Sequence, residues 1–240
     1  MIPADLHTIW VYLAAQPLLG LSLTLLAYLA GRALYLKGKG TPLLNPVLVA
    51  VVVLIVLLKF THTDYQTYFQ GAQFVHFLLG PATVALALPL YRQLHALKKS
   101  ILAVAIALVC GSVVAAVRAM AIAKALNGDP QTVLSMAPKS VTMPIAMGVA
   151  EQIGGLPSLT AALVLITGIC GAVVGPWVLD RLQIRDARAR GLAMGTASHG
   201  IGTARAFLES ETAGAFSGLA MGLNGMITAI LVPMLAVWFK

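Results

Sequence analysis

The chain has 240 residues, 59% of them hydrophobic and only 10% charged, with a mean hydropathy of +0.90 and a net charge of +8. A soluble domain carries about a quarter charged residues, so this composition excludes one. The apolar runs do not alternate, which excludes a β-barrel. What remains is an all-α polytopic membrane protein: about six full transmembrane helices plus broken or re-entrant helices, in one integral membrane domain over residues 1–240.

The first span runs from about Trp10 to Leu34, with Trp10, Tyr12 and Tyr35 as interfacial aromatics and Pro17 as a kink. Arg32, Lys37 and Lys39 follow in a Gly/Pro loop, closing an N-terminal part over 1–40. The second span is Leu43–Leu58, opening Asn45-Pro46. A polar, aromatic stretch from Thr61 to Gln73 leads into a third, His76–Leu90, which Gly80-Pro81 breaks. The fourth is Ile101–Ala123, ending a first repeat-like half, 41–125. The second half, 126–240, opens with a broken segment, Val133–Ile153, with Pro138 and Pro144 as breaks. A clean apolar span follows, Leu159–Leu179. Next come an Arg-rich loop, a Gly/Thr/Ser/His segment broken at Gly200 and Gly202, and a last span from about Ala213 to Trp238.

Basic residues cluster around Lys37, Lys98 and Arg185. Lying in short loops between spans, they set topology and do not point to nucleic acid. Placing all three clusters on the cytoplasmic side requires Val133–Ile153 to make an even number of crossings. It is too short to cross twice at 1.5 Å per residue, so a re-entrant hairpin is expected. The competing reading is one broken span, with the Arg-rich loop outside. Val109-Cys110-Gly111-Ser112-Val113-Val114 also resembles Ile169-Cys170-Gly171-Ala172-Val173-Val174, a weak repeat that becomes inverted under the re-entrant topology. Both cysteines lie deep in apolar runs, so no disulfide framework is expected.

Polar, helix-broken sequence at membrane depth is costly unless it is buried or lines a cavity. Lys139 follows Pro138 directly. It either attracts an anion, with Ser140 and Thr142 completing a cradle, or snorkels to the interface. Glu151 pairs with Lys139, carries a coupling proton or is an ordinary interfacial carboxylate. His199, beside Thr196, Ser198 and Thr203, relays a proton or is satisfied by backbone. Arg205 supplies a bidentate cation for a carboxylate. Asn45 and Asn224 face the pathway or bond between helices, and Arg118, near a span end, snorkels. Candidate binding residues are thus Lys139, Ser140, Thr142, Ser198, His199, Thr203, Arg205, Asn45 and Asn224, with Glu151 and His199 for coupling. No Gly-x-Ser-x-Gly elbow, His-Glu-x-x-His or P-loop occurs, so no enzyme, cofactor or metal is expected.

Five stretches together resemble the LrgB/CidB family: Leu43-Leu44-Asn45-Pro46, Leu79 to Tyr91, Pro138 to Ala146, Ala197 to Arg205 and Glu211 to Ser217. The resemblance implies one of two functions. One is transport of a small monocarboxylate such as glycolate, glycerate, lactate or pyruvate. The other is an antiholin-like or holin-like regulator of murein hydrolase export and autolysis. It further implies a bacterial plasma (inner) membrane and a small LrgA/CidA-type membrane partner, while the glycines between Gly214 and Gly225 would serve a homo-oligomer.

Overall fold

The computed structural model describes residues 17–38, 41, 44–78, 81, 84–85 and 87–239. Trp10, Tyr12 and Gly80 lie outside them. The contacts divide the chain between Ala85 and Leu86 into two compact units.

In the first unit α1 (Pro17–Lys37) packs on α2 (Pro46–Phe60) and α3 (Tyr65–Phe77). The approach is close because Gly20 lies against the Tyr68–Ala72 backbone and Gly31 against Pro46. The Thr24 and Tyr68 hydroxyls, 2.7 Å apart, bond across the seam. Asn45 is not inside a span. It caps α2, its Oδ1 accepting from the Val47 and Leu48 amides at 2.9 and 3.3 Å. With only 15 residues, α2 spans about 22 Å, short of the roughly 30 Å hydrocarbon layer.

The second unit contains α4 (Ala87–Arg92), α5 (Leu94–Ala125), α6 (Pro130–Met136), α7 (Met143–Ile153), α8 (Pro157–Arg181), α9 (Ala187–Phe207) and α10 (Glu211–Ala236). Among the described residues, four helices are long and apolar enough to cross a membrane: α1, α5, α8 and α10. Within the third expected span, His76–Leu90, helix α3 stops at Phe77 and α4 is described over Ala87–Arg92, while residues 79, 80, 82, 83 and 86 lie outside the described residues.

Helices α5 and α8 run in opposite directions. The end of α5 (Met120, Ala123), Val133 and Leu134 of α6, the end of α7 (Ile153) and the end of α10 (Val232, Ala236) share one apolar cluster. The start of α8 is tied to the same level, since the Leu156 amide donates to Ser135 Oγ at 2.7 Å and Thr160 Oγ1 to the Ser135 carbonyl at 3.0 Å. The segment between α5 and α8 therefore enters and leaves on one side. Its limbs, α6 of 7 and α7 of 11 residues, span about 10 and 16 Å. Pro144 sits in the first turn of α7, where a missing N–H is harmless, so it starts the helix and does not break it.

The opposite end gathers the basic loops. Arg188 Nη1 lies 3.5 Å from Ser100 Oγ, and Arg92 pairs with Glu211 at 3.0 Å. Helix α9 starts here, capped by Asp186, and reverses at His199, whose φ of 43° and ψ of −135° are not helical. Its second limb returns until Ala206 joins Leu179, Met194 and Ala213 in one cluster. Two hairpins thus enter the unit from opposite ends, one after each of the antiparallel helices α5 and α8.

Candidate functional site

The hairpin tips meet beside the middle of α8. Lys139 and Ser140, in the turn between α6 and α7, line a cavity of about 610 Å³ with Ser198 from the turn of α9. The far wall is α8, from Ile166 to Leu179. A neighbouring hollow of about 380 Å³ between α5 and α9 shares Ala115, Ala193 and Ala197 with it.

Glycines on α8 make the approach possible. A Cβ on Gly168 would come within 2.7 Å of the His199 ring, one on Gly175 within 2.6 Å of Met194 Sδ, and one on Gly171 would overlap the Ser198 hydroxyl. These three positions lie on one helical face. On the other side of α9, Gly191 and Gly195 bring its backbone against the Ala213 and Ser217 carbonyls of α10.

The turn of α9 is held by three contacts. His199 Nε2 donates to the Val164 carbonyl on α8 at 3.0 Å. Thr203 Oγ1 donates to the His199 carbonyl at 2.9 Å and lies 3.0 Å from Ser217 Oγ on α10. Positive φ disfavours a side chain, and Gly200 follows immediately.

Asn224, in the middle of α10, joins three elements. Its Nδ2 donates to the Thr196 carbonyl at 3.0 Å and, more weakly, to the Ser140 carbonyl at 3.4 Å. Its Oδ1 lies within bonding reach of the Ser112 hydroxyl on α5. Asn224 therefore locks both hairpin tips to the long helices, which is the interhelical role.

Lys139 is half-buried, and its Nζ reaches Ser140 Oγ at 3.3 Å. Among the described residues no carboxylate lies within ion-pair distance of it. The Ser198 hydroxyl is buried without a hydrogen-bond partner.

The other expected site residues lie elsewhere. Arg205 does not reach the cavity, because the reversal at His199 carries it back toward the basic loops, where Nη2 lies 3.9 Å from Glu209. Glu209 also receives Arg190 at 2.8 Å, and Arg190 pairs with Asp180 at 2.6 Å. Glu151 is exposed near the end of α7, a helix length away from Lys139. Thr142 occupies the N-cap position of α7 and is not among the cavity walls. Thr203 braces the turn, and Asn45 caps α2. The sequence reading of Leu159–Leu179 as a plain span missed Gly168, Gly171 and Gly175. Their spacing of three and four residues was the available signal.

The LrgB-like family model matches residues 24–238. The uncharacterized proteins YxaC and YwbG of Bacillus subtilis (strain 168) are each 37% identical to the chain, over 90% and 91% of its length and 93% and 96% of theirs. The antiholin-like protein LrgB of Bacillus cereus (strain B4264) is 34% identical, over 91% of this chain and 95% of its own. No solved structure matches. Spans, hairpins and relatives agree: this is a multi-pass bacterial membrane protein that belongs to the LrgB-like family.

Proposed function

We propose that the chain is an antiholin-like regulator of murein hydrolase export and autolysis, acting in the inner membrane with a small LrgA/CidA-type partner and through self-association. The support is the name of the Bacillus cereus relative, matched over nearly the whole of both chains. Of the two readings in play, the comparisons support this one better.

A second reading is favoured by one observation: a lysine without a carboxylate partner among the described residues, where two broken hairpins meet. Opposed broken helices with a site near the bilayer midplane are the architecture of many secondary transporters. In this reading Lys139 neutralises a small monocarboxylate of the glycolate, glycerate, lactate or pyruvate type. Ser140 and Ser198 line its seat, His199 is the remaining candidate for a coupled proton, and the hairpins move against α5, α8 and α10. Neither reading involves enzymatic chemistry.

Counter-flow of labelled glycolate and pyruvate into proteoliposomes separates the two, with the chain alone and with the small partner. The carrier reading expects saturable flux that Lys139→Ala abolishes and Arg205→Ala leaves in every molecule that folds. The regulator reading expects no saturable flux in either preparation, and unchanged autolysis in cells carrying Lys139→Ala. Saturable flux that survives Lys139→Ala counts against the cavity as the seat.

A further inference from the structure

The hollow between α5 and the first limb of α9 is a furrow of about 380 Å³ that does not include Lys139. Its walls are apolar, with Ala107, Leu108, Gly111, Leu192 and Ala193 among them. The one side-chain hydroxyl that lines it, Thr196 Oγ1, already donates to the Leu192 carbonyl at 2.7 Å. No unmatched side-chain polar group is left to bind a polar solute there. A Cβ on Gly111 would lie 3.2 Å from Thr196 Cγ2, so the two helices touch at the floor. On the outer side Ala107, Ala189 and Ala193 are exposed. The crease suits a single hydrocarbon chain, whereas a helix about 10 Å across would rest on its rims.

One end of the furrow is basic. Arg188 Nη1 and Ser100 Oγ, 3.5 Å apart, join the starts of the same two helices, and Ala189 follows Arg188 directly. Lys98 and Lys99 precede Ser100, and Arg185 stands three residues before Arg188. All three are exposed. Among the described residues no carboxylate lies within ion-pair distance of them, because Arg92, Arg188 and Arg190 hold Glu211, Asp186, Asp180 and Glu209. A basic rim on spanning helices belongs at the cytoplasmic surface, where the leaflet carries anionic headgroups.

We propose that the α5–α9 furrow is a binding site for an anionic phospholipid. One acyl chain lies in the crease along Ala107 and Ala193, and the phosphate rests at the rim among Lys98, Lys99 and Arg185. The site is separate from the Lys139 cavity and holds under either reading of the function. Its occupant bridges α5 to the first limb of α9.

The test is mass spectrometry of the intact full chain released from nanodiscs of phosphatidylglycerol and phosphatidylethanolamine in equal parts, with identical acyl chains. One lipid per chain should outlast the others, and phosphatidylglycerol should be favoured by about tenfold or more. Soluble glycerol 3-phosphate, which has the phosphate and no tail, should not displace it. Both comparisons use the unaltered chain, so they stand whether or not a variant folds. Ala107→Leu, at an exposed position that lines only this furrow, should lower retention of that lipid by about tenfold. Lys98→Gln, Lys99→Gln and Arg185→Gln together should bring phosphatidylglycerol down to the level of phosphatidylethanolamine. Thermal unfolding checks that each variant is folded.

Equal retention of the two lipids by the unaltered chain overturns the proposal. Displacement by glycerol 3-phosphate would make the rim a phosphate site and overturn the tail assignment. Undiminished retention in a folded Ala107→Leu variant would assign the lipid to the basic loops alone. A dimer of the unaltered chain that Ala107→Leu dissociates, with lipid retention unchanged, would assign the furrow to a second copy and overturn the proposal.

Discussion

Two kinds of glycine in this chain make opposite predictions. Gly171 faces Ser198 so closely that any Cβ must displace it, whereas Gly148 has nothing within 4 Å of a Cβ position. Gly171→Ala should lower stability by about 1–3 kcal/mol, the range for overpacking a tight contact. Gly148→Ala should raise it by about 0.5–1 kcal/mol, since alanine is the better helix residue and meets no obstacle. Thermal unfolding in detergent reads both, and equal shifts of one sign would refute the distinction. His199 gives a second residue-scale case. Its φ of 43° suits glycine, so His199→Gly should be more stable than His199→Ala by about 1 kcal/mol, although both lose the Val164 bond. An alanine variant at least as stable as the glycine one would show that the backbone there is not strained. Lys139 was legible in the sequence because an ammonium in an apolar chain is conspicuous. Arg205 is equally conspicuous and lies elsewhere. Six residues of helix after the turn decide its direction, and composition does not encode that direction.

At the scale of elements, the breaks were readable and their partners were not. Pro138 and the Gly200–Gly202 stretch mark the two turns because proline and glycine act locally on the backbone. The lengths of α5, α8 and α10 follow from hydropathy. Which face of α8 receives α9 depends on three glycines that look unremarkable in a composition holding 22 of them. The start of α9 carries its own prediction. Asp186 caps it, accepting from the Arg188 and Ala189 amides, and the Arg188 guanidinium donating to the same carboxylate pulls its pKa from 3.8 down to about 2. A lowered carboxyl pKa stabilises the folded state above the ordinary value, and that contribution fades as pH falls from 3.8 toward about 2. Asp186→Asn should keep the cap and flatten this part of the pH–stability curve, while Asp186→Ala should cost roughly 1 kcal/mol at neutral pH. A curve for Asp186→Asn that falls as steeply as the parent's would show that other carboxylates set it.

At the scale of the second unit, charge parity in the sequence anticipated what the contacts display. If the basic loops share one side, the segment between α5 and α8 must turn back, and it does. The repeat noted at Cys110-Gly111 and Cys170-Gly171 lies on antiparallel helices, and a hairpin follows each of them. The prediction is sidedness. With Cys110 and Cys170 replaced, an impermeant maleimide should label Lys99→Cys and Arg185→Cys from one face of sealed vesicles and Asn127→Cys from the other. Labelling of Lys99→Cys and Arg185→Cys from different faces would make Val133–Ile153 a crossing. Six full crossings were expected, whereas the described residues contain four helices of spanning length and apolarity. The difference arises where α2 is short and where the third run is described only in part.

The meeting of two hairpins halfway between the ends has an electrical corollary. A cation fixed there sits part of the way down the transmembrane voltage. A full elementary charge carried across 100 mV changes energy by about 2.3 kcal/mol. In the carrier reading, an anion that travelled from either face to Lys139 would do part of that electrical work before it arrived. Occupancy of the cavity should therefore respond to polarisation of the bilayer, with opposite sign for arrival from the two compartments.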